Sequence, residues 1–95
     1  MNKTHELKTD PQVYDAVAFG GKSFELRLND RNFKVGDTLL LRRTEYSGIE
    51  MNAGMPLEFS GKESVWEVTH ILHGPIYGLN SGWVIMSIVP DTTPL

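Results

Sequence analysis

Residues 19–37 read FGGKSFELRLNDRNFKVGD, and the short alternation inside that stretch decides the fold. From Ser23 to Leu28, polar and apolar side chains alternate with the period of two that marks a β-strand. Phe24, Leu26 and Leu28 share one face, while Ser23, Glu25 and Arg27 share the other. Glu25 and Arg27 then lie about 7 Å apart along the strand. The pattern predicts that the apolar set closes the core and the charged set occupies the opposite, exposed face. On that geometry Lys22→Ala or Arg27→Ala is expected to cost about 1 kcal/mol or less, as for an exposed ion pair. The crowding of Lys22, Asp30 and Arg31 around the same strand favours a ligand site over a solvated face.

Outward from this strand, Asp10-Pro11 is a helix start, because Asp accepts from free amides and Pro at the first position gives up no hydrogen bond. The helix is expected to run to Phe19, with Val13, Ala16 and Val17 on its inner side, and to stop at Gly20-Gly21. Asn29-Asp30 and Val35-Gly36-Asp37 read as turns, the second leading into the strand TLLLRRTEY at 38–46. Gly48, Gly54, Pro56 and Gly61 interrupt residues 47–61, which are predicted to form one long loop. SVWEVTHIL at 64–72 and GWVIMSIV at 82–89 are two more β-rich runs, joined by a shaped loop, HGPIYGLNS. Residues 90–95 read as a frayed tail. One helix with about five short strands predicts a single domain over 1–95, mainly β with one or two short helices, in the form of a small barrel or curled sheet.

Composition narrows the function. The chain has 95 residues, 40% of them hydrophobic, enough for one modest core. It contains no cysteine, so disulfides and thiolate metal sites are excluded. No run approaches the roughly 20 apolar residues of a membrane span, and the first residues, MNKTHELKTDP, lack the apolar stretch of a signal peptide. The expectation is a cytoplasmic protein without membrane contact. Nine Lys plus Arg against twelve Asp plus Glu give a net charge of −3, so any nucleic-acid contact must be local. His70 and His73 fall on opposite faces of a strand, and nothing completes a ligand set, so neither metal nor cofactor is expected.

The string HELKTDP, then Gly20-x-Lys22-x-x-Glu25-x-Arg27, then VGD before a strand resembles the ASCH-like branch of the PUA superfamily, in particular a compact bacterial and phage group of unknown function within it. The likeness runs from His5 to about Ile88. It implies a PUA-like β-barrel whose charged residues line a cleft beside the helix and hold RNA or a modified nucleoside. It also places HELK, with His5 and Lys8, on a first strand near that cleft. One set of ASCH proteins removes the acetyl group from acetylated cytidine with a lysine, a threonine and a glutamate. Lys22 matches that lysine, whereas Glu25 stands where the threonine would be, and Glu67 is the nearest guess for the third residue.

Two function classes follow. The favoured one is a binding module for RNA or a nucleotide-like ligand, with Lys22, Arg27 and Arg31 on anionic groups and Glu25 accepting from a base edge or orienting Arg27. His5, Lys8 and Asp30 complete the expected site, with the Gly20-Gly21 amides as extra donors. Tyr77, the best placed of Trp66, Tyr77 and Trp83, is expected to stack on a base for about 1–3 kcal/mol. The alternatives are a small amidohydrolase using Lys22 and Glu25 as catalytic residues, or an accessory protein that binds another protein through an open sheet edge.

Overall fold

The computed structural model describes residues 2–91. Its elements are β1 (Thr4–Thr9), α1 (Pro11–Ala18), β2 (Phe24–Leu28), β3 (Thr38–Thr44), α2 (Gly48–Asn52), β4 (Phe59–His73) and β5 (Trp83–Pro90). The strands form one sheet in the order β1-β3-β4-β5-β2. β1 runs parallel to β3, while β3, β4, β5 and β2 pair antiparallel. A parallel pair needs a crossover, and here it is supplied by α1 and β2 together. The mainly β architecture with two short helices is therefore as expected: a curled half-barrel.

Alternation builds the core from four of the strands. His5, Leu7 and Thr9 point inward from β1, Leu39 and Leu41 from β3, Val68 from β4, and Val84, Met86 and Ile88 from β5. From α1 the buried residues are Tyr14 and Val17; Tyr14, absent from the expected inner side, takes the place assigned to Val13 and Ala16. Gly20 ends the helix at φ +84°, a left-handed conformation that costs glycine little. Asp10 is the N-cap residue but makes no side-chain cap hydrogen bond.

Residues 47–61 differ from the expected loop. Ser47 and Glu50 form a capping box, each side chain bonding the other's amide, and this starts α2. β4 already begins at Phe59. The tail reading also changes, because Pro90 pairs with Trp66 at the end of β5 and the Asp91 amide donates to Val65 O; residues 92–95 lie outside the described residues.

A buried clasp ties β1 to the turn before β3. Asp37 accepts from the Lys3 and Lys34 amides at 3.1 and 3.0 Å and from His5 Nε2 at 2.8 Å. The His5 ring in turn stands edge-on to Phe33, 4.8 Å between centroids. Burial alone would raise the Asp37 carboxyl, but the hydrogen bonds from His5 and the two amides, with the electrostatic pull of His5, carry it below its ordinary value. Such a group adds stability that is complete above its unfolded pKa, about 3.9, and is lost as pH falls through the lowered folded value. Asp37→Asn is expected to lower unfolding free energy at pH 7 by about 1.5–3 kcal/mol, the scale of a hydrogen bond to a charged group. Urea titrations should show the gap between wild type and variant narrowing below about pH 4; a gap independent of pH would refute the clasp as an acid-sensitive element.

Candidate functional site

The alternation in residues 23–28 is real, but its faces are reversed from expectation. Glu25 is only 1% exposed, whereas Phe24, Leu26 and Leu28 are 43%, 49% and 48% exposed. The β2–β5 register explains the direction. Glu25 and Arg27 pair with the inward-facing Met86 and Val84, while Phe24, Leu26 and Leu28 pair with Ser87, Ile85 and Trp83 on the outer face. Curling of the sheet supplies the cause. β1 and β2 are the two edges of the ladder, and curling brings them together without a backbone ladder between them. The free edge of β1 then carries carbonyls that need donors, and a strand with leucines facing inward could not provide them.

Arginines provide them instead. Arg27 Nη1 donates to Lys8 O at 3.1 Å and Nη2 to Thr9 Oγ1 at 3.2 Å, while Arg31 Nη1 donates to Glu6 O at 2.8 Å. Arg27 Nε donates to Glu25 Oε2 at 3.0 Å, and Lys22 Nζ to Glu25 Oε1 at 3.2 Å. Lys22 Nζ also donates to the Phe24 carbonyl and lies 4.5 Å from the Phe24 ring centroid. Its position is set from the helix end, where the Lys22 amide donates to Ala16 O. A buried carboxylate is thus held between two cations on a seam that side chains close.

Beside the seam lies a cleft of about 360 Å³ lined by Lys8, Thr9, Asp10, Val13, Lys22, Phe24, Glu25, Leu26 and Arg27. Its expected members Lys8, Lys22, Glu25 and Arg27 come together there. Asp30 and Arg31 line a neighbouring hollow with Leu7, Leu28, Phe33 and Trp83, which shares Leu26 and Arg27 with the cleft. His5 lines neither, being held in the Asp37 clasp. Tyr77 is 96% exposed in the β4–β5 connection and lines neither hollow. Trp66 is half-buried against the core, its indole N–H bonded to Ser64 Oγ, and Trp83 lines the second hollow and a shallower one beside residues 78–80, but not the cleft. Glu67 is an exposed residue of β4 opposite Thr38, away from the cleft lining. His70 pairs with the outward Ser87 and His73 with the inward Val84. Among the described residues, no three His, Asp or Glu side chains gather closely enough to hold a metal ion, and no helix is long and apolar enough to cross a membrane.

The sequence reading missed Thr9, Asp10, Val13, Phe24 and Leu26 as cleft residues. Asp10 carried a signal that pointed elsewhere, toward capping. Instead its Oδ1 accepts from the Gly48 amide at 3.1 Å, joining the start of α1 to the start of α2.

The family model described as "Domain of unknown function (DUF3850)" matches residues 4–88, which include every strand's start and the whole cleft. The chain belongs to this family. It is also 46% identical over 41 residues to the "Uncharacterized 12.9 kDa protein in GpA 3'region" of Escherichia phage P2; that match covers 43% of this chain and 38% of the phage protein's length. The shared character is that of a small, phage-related domain.

Because Glu25 is buried, the expectation of cheap substitution at Lys22 and Arg27 reverses. Arg27→Met removes one of two counter-cations and the bridge to β1, and is expected to cost about 2–4 kcal/mol, somewhat below the roughly 3–5 kcal/mol of a fully buried pair because the Arg27 side chain is 23% exposed. Adding Glu25→Leu removes the stranded charge and should recover at least half of that loss. Chemical denaturation of the single and double variants checks this, and a double variant less stable than Arg27→Met would refute the buried-charge account.

Proposed function

We propose that this DUF3850 chain is a binding module for a nucleotide-like ligand, taken free or as an exposed nucleotide of an RNA strand, in the cleft between β1, α1 and β2. The observation that carries the reading is the reversed face of β2. The strand commits a glutamate to the interior between two cations, and Lys22, Glu25 and Arg27 stand at the wall of a cleft rather than inside a sealed core. A buried charge with specific charge partners at the wall of a cleft is an arrangement that functional sites use.

The lining fits the two halves of a nucleotide. Lys8, Lys22 and Arg27 against Asp10 and Glu25 leave one positive charge in excess, in a chain whose net charge is −3. Val13, Phe24 and Leu26 give an apolar wall against which a base can lie. The volume lies within the range of small-molecule sites, about 300–1,000 Å³. The resemblance of HELK and Gly-x-Lys-x-x-Glu-x-Arg to ASCH domains supports the same ligand class, and a cytoplasmic setting would supply it. Binding is preferred over amide hydrolysis for a geometric reason. Both oxygens of Glu25 are engaged by cations, Glu67 is outside the cleft, and the remaining carboxylate of the lining, Asp10, is tied to the Gly48 amide, so neither glutamate of the hydrolase pattern is free there to activate water.

Lys8 is the clean probe, because its side chain is exposed and takes no part in the seam bonds. Titration calorimetry with the four ribonucleoside monophosphates should show binding. Lys8→Ala should weaken it about tenfold, equivalent to about 1.4 kcal/mol, with an unchanged unfolding midpoint. Absence of binding to every monophosphate and to short single-stranded RNA would overturn the proposal, and hydrolysis of acetylated cytidine by the wild type would replace it with the amidohydrolase reading.

A further inference from the structure

We infer that Asp10 reads the base, and that the cleft prefers nucleotides whose base carries an exocyclic amine over those with a keto oxygen in its place. The inference rests on the nucleotide reading above and identifies which nucleotides the site takes. It proceeds by elimination among the polar side chains of the lining. Lys8, Lys22 and Arg27 are donors only. Thr9 Oγ1 is used in both directions, donating to Leu7 O at 3.2 Å and accepting from Arg27 Nη2 at 3.2 Å. Glu25 has each oxygen occupied by a cation, at 3.2 and 3.0 Å.

Asp10 differs from all of these. It is half-buried at the head of α1 without capping the helix. Its Oδ1 is fixed by the Gly48 amide at 3.1 Å, while no described residue donates to its Oδ2. Asp10 lines this cleft and also borders a hollow toward Glu45, Ser47 and Glu50; toward the cleft, a carboxylate oxygen with spare lone pairs accepts hydrogen bonds and can donate none. It favours an N–H₂ group and repels a carbonyl oxygen. Within the pyrimidines the contrast lies at the 4-position, where cytosine presents an amine and uracil a carbonyl, so a carboxylate aimed there favours CMP, whereas one aimed at N3 would accept from uracil's N–H instead. The Gly48 bond is what makes Asp10 selective, because a carboxylate anchored through one oxygen cannot turn away from an unfavourable partner without losing that bond.

Calorimetric titration of CMP and UMP into wild type and Asp10→Asn tests this. Wild type is expected to bind CMP at least tenfold more tightly than UMP, the scale of one hydrogen bond to a charged group. Asp10→Asn keeps an oxygen for the Gly48 amide and adds an N–H₂ group, so it should bring the two affinities to within about threefold, chiefly through improved UMP binding. Equal binding of CMP and UMP by wild type overturns the inference even if the variant proves unstable. So does a CMP preference that survives Asp10→Asn intact. If wild type binds neither nucleotide, the nucleotide reading itself has failed and the assignment of Asp10 falls with it; binding without discrimination removes the Asp10 assignment alone.

Discussion

The guanidinium of Arg27 joins the two edges of the sheet. One group reaches the Glu25 carboxylate on its own strand and both Lys8 O and Thr9 Oγ1 on β1, spanning strands that stand at opposite ends of the ladder. A backbone ladder would close a barrel more economically, but it would also fill the seam. Closure by side chains leaves room beside it, and the cleft is that room. Arg31, bonded to Glu6 O, repeats the device farther along β1, so that two arginines cover edge carbonyls that another chain would otherwise be free to pair with.

Glu25 is the counterpart that makes this arrangement stable. Two buried-facing cations without an anion would repel one another, and a buried carboxylate without cations would be costly. The three charges are therefore conditional on each other, and the strand's orientation follows from them. With Glu25 and Arg27 required inside, the period of two sends Phe24, Leu26 and Leu28 outside. Their exposure follows from that choice. Leu26 contributes to both hollows and so gives the cleft part of its apolar wall.

How much of this was legible in the sequence depends on whether the determining contacts are local. Asp10-Pro11 and Gly20 marked the ends of α1, the β-rich runs at 64–72 and 82–89 gave β4 and β5, and Val35-Gly36-Asp37 gave the turn into β3. Each is set by backbone preference or short-range pattern. The capping box of Ser47 and Glu50 was equally local and could have been read; the glycines around it drew attention to a loop instead. The orientation of β2 was not legible. Alternation fixes which residues share a face but not which face is inner, and the usual rule that apolar means inner fails where charged groups must close a seam with a strand nineteen residues away, the separation of Arg27 from Lys8. The Asp37 clasp on His5 is equally non-local, since its partners are 32 residues apart. For the site, the string around Lys22, Glu25 and Arg27 identified the cleft's charges, whereas Asp10 and the apolar wall required the curl of the sheet.

Placing the cleft at the seam divides its cations by task. Arg27 has five N–H donors, and three of them, one each on Nε, Nη1 and Nη2, are taken by protein partners, so an anion that turned the guanidinium to reach the other two would compete with closure of the sheet. Lys22 is less constrained, with two acceptors, the Phe24 carbonyl and Glu25, for three ammonium protons. Lys8 contributes its backbone carbonyl to the seam and keeps its side chain out of it. An anionic ligand can therefore be met by Lys8 and the remaining proton of Lys22 while Arg27 holds the edges together. The same groups would be disturbed by a ligand that drew Lys22 away from Glu25, since Arg27 would then be the carboxylate's only cation. If the cleft binds a ligand as proposed, its occupancy and the closure of the sheet would be coupled through Glu25, and a ligand that left the Lys22–Glu25 bond in place would be accommodated at least cost.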